Sequence, residues 1–161
     1  MTQGEAVADE IERAVAGRAW HGPSLAELLA HVTAEEAIQR PIPRAHNIWE
    51  LVLHLTSWAN IVHRRITGGE AEPFDGEDWP VAHPAGEEEW TAARTALARS
   101  HERVREVVAK LSDAELSARI PSGDASIAGM LHGLAQHAAY HGGQIALLKK
   151  AVTTHHRRTA L

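Results

Sequence analysis

Two histidines four residues apart, His137 and His141, stand inside an apolar stripe of helical period formed by Ile127, Leu131, Leu134, Ala138, Ile145 and Leu148. At about 100° per residue they share one helix face, one turn apart, so their imidazoles can converge on one ion. Such a stripe ordinarily carries Leu or Ile at both places. Helical histidine pairs also cap, pack or face solvent, and the chain has 12 histidines. Spacing alone therefore leaves a hydrogen-bonded core pair open beside the metal reading. The chain has no cysteine, which excludes disulfides and thiolate zinc sites. Any metal must be held by histidine and carboxylate.

The elements that would carry such a site are helical throughout. Val7, Ile11, Val15 and Ala16 give the period of a first helix over about 5–18, interrupted by Trp20-His21-Gly22-Pro23. Ser24 caps a short piece ending near Val32, and Thr33 opens a weak capping box before Pro41 and Pro43. A second long helix over about 46–67 carries the stripe Ile48, Leu51, Val52, Leu55, Trp58, Val62 and Ile66, and stops at Gly68-Gly69. Residues 70–85 form an irregular connection with five acids and three prolines. Links between bundle helices are usually short. Fully extended, this one can span a helix length with slack. It predicts a third helix that starts at the far end and runs parallel to the second. That helix covers about 87–111 with Trp90, Ala93, Leu97, His101, Val104, Val107 and Val108 in phase. A turn from Ser112 and a loop at 121–123 lead to Ser126, the expected cap of a fourth helix ending near Val152. The tail at 153–161 lacks an apolar pattern and reads as flexible. The expected architecture is an all-α four-helix bundle, one domain over 1–152.

With a crossover third helix, the second and fourth helices are antiparallel neighbours. His54, near the middle of the second, can then meet His137 and His141 at one height. Three neutral imidazoles at about 2.0–2.1 Å would bind a divalent transition metal and leave a position for water or substrate. Such an ion lowers the pKa of a bound water or thiol and so supplies a nucleophile near neutral pH.

The segments 45–70 and 132–150, together with 20–37 and the Glu77-Asp-Trp-Pro run, resemble the DinB-like superfamily in its YfiT-like metal-dependent branch, over nearly the whole chain. The resemblance implies an up-down-down-up four-helix bundle, usually a homodimer, that binds zinc or nickel through three histidines. On matching positions these are His54, His137 and His141. It also implies a place among thiol-dependent transferases and isomerases that use a low-molecular-weight thiol. A hydrolase that activates water at the ion and a non-catalytic metal-binding stress-response bundle are the alternatives.

Other candidates are read with their plainer roles beside them. His132 lies about 140° round the helix from His137 and suits a partner or interface contact better than a fourth ligand. His63 points away from His54, and His155 and His156 are solvated tail residues. His101 can reach the cavity but reads first as a buried, satisfied histidine. Glu50, one turn before His54, either orients that ring or is a solvated helix carboxylate, the second being favoured. Gln144 and Tyr140 flank the pair and can contact substrate. Trp58 and Trp79 can wall a pocket, with core packing the default for Trp58. The acidic connection either covers the site or solvates the crossover. A net charge of -5 without large single-sign blocks argues against nucleic acid. No apolar run reaches the roughly 18 residues of a membrane span. With no signal-peptide core, a cytoplasmic setting is expected.

Overall fold

The computed structural model describes residues 1–69, 72–83, 86–120 and 124–159, with side chains as far as Val152. It contains α1 (Gln3–Val15), α2 (Leu25–Leu29), α3 (Ala34–Ile38), α4 (Ile48–Ile66), α5 (Glu87–Val108), α6 (Asp113–Ser117) and α7 (Ile127–Thr159). Among the described residues, extended pairing is limited to the isolated bridges Ala19–Gly22 and Arg119–Ser126. No helix among them is long and apolar enough to cross a membrane.

The helix starts are set locally. The side chains of Thr2, Ser24, Thr33, Asn47 and Ser112 accept from the N–H of a glutamate three residues on, and each glutamate reaches back to the cap N–H. Two orphan donors are satisfied at each start, and a carboxylate sits at the positive helix end. Ser126 Oγ accepts from Gly129 N–H at 3.0 Å, so it caps α7 as expected. At the other end of α4, Gly68 adopts φ 80°, and Gly69 N–H returns to the Arg64 carbonyl at 2.8 Å. A side chain would be strained in that left-handed conformation. α7 outruns its expected end near Val152. Residues 153–159 contain no proline or glycine, and once a helix is nucleated each further residue adds a backbone bond without needing an apolar face. Side chains of the expected tail, 153–161, including His155 and His156, lie outside the described residues, as does the expected loop at 121–123.

Four helices form the bundle in the spatial order α1, α5, α4, α7. Their directions follow from which ends meet. Trp49 and Trp90, at the starts of α4 and α5, lie 5.1 Å apart, and Arg103 late in α5 donates to Asn60 late in α4 at 2.7 Å. These two helices are parallel. The start of α1 meets the end of α5: a Cβ on Gly4 would stand 2.5 Å from the Val108 carbonyl oxygen. α7 descends past α4, with Leu51 and Leu148 beside one cavity and Val62 and Met130 beside another. The up-down-down-up order with its crossover between α4 and α5 is therefore present. The core between the helices is aliphatic and aromatic, with Ile11, Val52, Leu55, Trp90, Val104, Leu131 and Ile145 fully buried. Trp90 keeps its indole satisfied by donating to the Val32 carbonyl at 2.6 Å. This packing holds α4 and α7 in the register the histidines need.

Candidate metal centre

α4 contributes His54 and α7 contributes His137 and His141, and one nitrogen from each lies within 4.8 Å of the others. His54 Nε2 stands 3.0 Å from His137 Nε2. The ring centroids of His137 and His141 are 4.4 Å apart, and those of His54 and His141 are 4.8 Å apart. All three expected ligands meet as the helix register predicts.

Their outer nitrogens fix which inner nitrogens carry lone pairs. His54 Nδ1 lies 2.6 Å from the backbone carbonyl of Asp78. A carbonyl can only accept, so the proton is on Nδ1 and the Nε2 lone pair faces the centre. His141 Nδ1 donates in the same way to Gln144 Oε1 at 2.7 Å. Metal-bound histidines are commonly held by such an acceptor on the far nitrogen. Electrostatics point the same way. Burial pushes all three rings below their ordinary value of 6.5, opposed at His54 by the Asp78 carbonyl and at His141 by Gln144. His137, lowered by burial and by His141, His54 and His101 nearby and only slightly relieved by the Asp78 charge, falls to about 4. Neutral imidazoles at neutral pH are the form that binds a cation. The residues therefore fit a divalent transition metal: three neutral nitrogen donors, two with fixed tautomers, around one point.

The connection between α4 and α5 closes over this centre. Glu77 takes the Arg64 guanidinium through both oxygens at 2.7 and 2.8 Å. Asp78 offers its carbonyl to His54, and its carboxylate accepts from Trp58 Nε1 at 2.7 Å. Trp79 lies face to face between His54 and His46, with centroids 3.7 Å away on each side and planes inclined by 7°. The acidic segment thus covers the site rather than merely solvating the crossover. Residues 70, 71, 84 and 85 of it lie outside the described residues.

Glu50 and Gln144 take roles other than those expected. Glu50 is buried, not solvated, and its carboxylate bonds to partners other than the His54 ring. Its carboxylate caps α4 through Asn47 N–H, holds His46 Nδ1 at 3.1 Å and pairs with Arg40. Burial would raise its pKa, but the Asn47, His46 and Arg40 bonds outweigh this and lower it. Gln144 orients His141, a role reached through the i, i+3 spacing. Tyr140 is mostly exposed, its ring 5.0 Å from that of His141. His132 stays out of the cluster and meets Glu10 of α1 at 2.6 Å. His63, half-buried on α4, is outside it too. His101 is buried as expected, with Nδ1 donating to the Leu97 carbonyl at 3.0 Å, but its Nε2 has no partner among the described residues. Trp58 is half-buried and walls a cavity of about 380 Å³ together with His54, His137, Arg65 and Asp78.

The DinB superfamily model matches residues 19–145, a span that contains all three histidines and the Asp78–Trp79 segment. A solved structure described as a conserved protein of locus from Enterococcus faecalis superposes with a TM-score of 0.74. It shares 18% identity, over 96% of this chain and 99% of that one, and at that identity the likeness concerns the fold. No curated protein matches the chain. Bundle topology, the His54–His137–His141 cluster and the matching family model converge, and the chain belongs to the DinB superfamily.

Proposed function

We propose that this protein is a metal-dependent enzyme of the thiol-dependent transferase type, with zinc or nickel held by His54, His137 and His141. The observation that carries the reading is the convergence of three imidazoles on one point beside a cavity. Three protein donors are the number found where a metal keeps a position for substrate, whereas closed structural sites use four. Bound there, a divalent ion supplies Lewis acidity and lowers the pKa of a thiol brought to it. The chain's own residues supply the rest. Asp78 and Gln144 hold two rings in the ligating tautomer. Trp79 stacks over His54 and sheds water from that side. Trp58 and the neighbouring cavity wall receive the second reactant. The proposal includes a homodimer in the cytoplasm.

Metal content by mass spectrometry on untagged protein, purified without a metal column, tests the reading. Wild type is expected to carry roughly one equivalent of ion per chain, and His137→Ala to lose it along with thiol transfer to model electrophiles. Full transfer activity in a variant lacking all three rings would end the proposal. Turnover of esters or amides without any thiol would move it to hydrolysis.

A further inference from the structure

We infer that the cavity beside the imidazoles is a subsite for the apolar, ring-sized body of the substrate, and that Gly133 is the residue that sets its size. This rests on the reading of the three rings as the reacting centre. The cavity, about 380 Å³, runs between α4 and α7 from His54 and His137 outward. Its apolar wall comes from Trp58, Val62, Trp79, Met130 and Leu134. On α4, positions 54, 58 and 62 recur at four-residue steps, and on α7 positions 130, 133, 134 and 137 do the same work. The wall is therefore two helix faces, rigid enough to impose a shape.

Two of the charged groups on this wall lie against Trp58. The Asp78 carboxylate accepts from Trp58 Nε1, and the Arg65 guanidinium lies over the Trp58 ring, 5.8 Å from its centroid. A strongly hydrated occupant would shed water here against indole and aliphatic carbon, which is unfavourable, while an apolar one gains from the same desolvation. Gly133 supplies a second, independent observation. It lies inside α7, where glycine weakens a helix relative to alanine. Close packing does not require it, because a Cβ built there meets no atom within 4 Å. A side chain at 133 would point into the cavity and shorten it. What the missing side chain provides is volume one turn from His137.

The test uses full-length protein as purified, wild type beside Gly133→Ala, Gly133→Leu and Met130→Trp, with indole as a neutral aromatic probe read by amide chemical shifts. Wild type should show saturable shifts centred on Gly133 and Leu134. Gly133→Ala should keep them and melt at higher temperature, whereas Gly133→Leu should weaken binding at least tenfold. Met130→Trp fills the cavity from a different backbone position and should do the same, which covers a folding defect in either variant. On cobalt-substituted protein, phenylmethanethiol should bind at least tenfold tighter than 2-mercaptoethanol by visible absorption. Gly133→Leu should erase that preference and leave 2-mercaptoethanol within twofold. No saturable indole binding, or wild-type affinity for indole in both filled variants, overturns the subsite. Indole binding that survives while neither thiol coordinates cobalt overturns the transferase reading and leaves the subsite standing.

Discussion

His101 carries the clearest consequence of a single side chain. It is completely enclosed, and burial alone takes its pKa down from 6.5 to about 4 against the help of the Leu97 carbonyl. The sign follows from proton counting. Between pH 6.5 and 4 the unfolded chain binds a proton at this ring that the folded chain refuses, so stability is complete above pH 6.5 and falls as pH drops toward 4. A shift of this size corresponds to on the order of 3 kcal/mol. Urea unfolding of wild type beside His101→Leu at pH 7 and pH 4.5 should show the extra acid loss in wild type only. Equal losses would mean that the ring is charged in the fold. Of the three clustered histidines, His137 and His141 were legible because a spacing of four marks one helix face, whereas His54, 83 positions from His137, needed the crossover and the family resemblance. The acceptors behind them were not equally so. Gln144 shares a helix with its partner and could be found by its spacing from His141. The acceptor for His54 is a backbone carbonyl at Asp78, 24 residues away. Every residue has such a group, so no residue type announces it.

The α4–α5 connection is the element on which the site's geometry turns. Its length and composition disclosed a crossover, and the parallel pairing of α4 with α5 bears this out. Its role as a cover was undecided, since acids and prolines suit a solvated strap as well as a lid. Three adjacent residues settle it: Glu77 clamps Arg64, Asp78 meets His54 and Trp58, and Trp79 enters the ring stack. Because Glu77 anchors the segment through Arg64 rather than through the three histidines, Glu77→Ala separates the clamp from the proposed ligand set. Competition titration with a chelating dye should give about tenfold weaker zinc binding in this variant, the lower part of the range for lost outer contacts. Far-ultraviolet circular dichroism should be unchanged. Unaltered zinc affinity would show that the Asp78 carbonyl holds its place without the ion pair.

Across the whole molecule, apolar periodicity and capping residues were enough to name the helices, because each depends on neighbours within four positions. The end of α7 was misjudged because a nucleated helix continues through polar residues that offer no stop. Bundle order needed the crossover and the family resemblance together. The contact that ties the parallel pair at its base is Trp90, fully buried against Trp49 and bonded to Val32. Trp90→Ala should cost about 3–5 kcal/mol. At roughly 2–4 °C per kcal/mol for a chain of this size, the melting temperature should fall by about 10 °C in a calorimetric scan. A drop of only a degree or two would mean that the bundle base does not depend on this residue. The meeting of His54 with His137 across 83 positions has a consequence of another kind. In a chain without cysteine, an ion shared by these rings is a reversible cross-link that ties α4 to α7 through a loop enclosing all of α5 and α6. By the chain-entropy relation used for disulfides, a closure of that length restricts the unfolded chain by about 4.5 kcal/mol. The centre would then be a staple as well as a place for chemistry, opened by chelation or acid rather than by reduction.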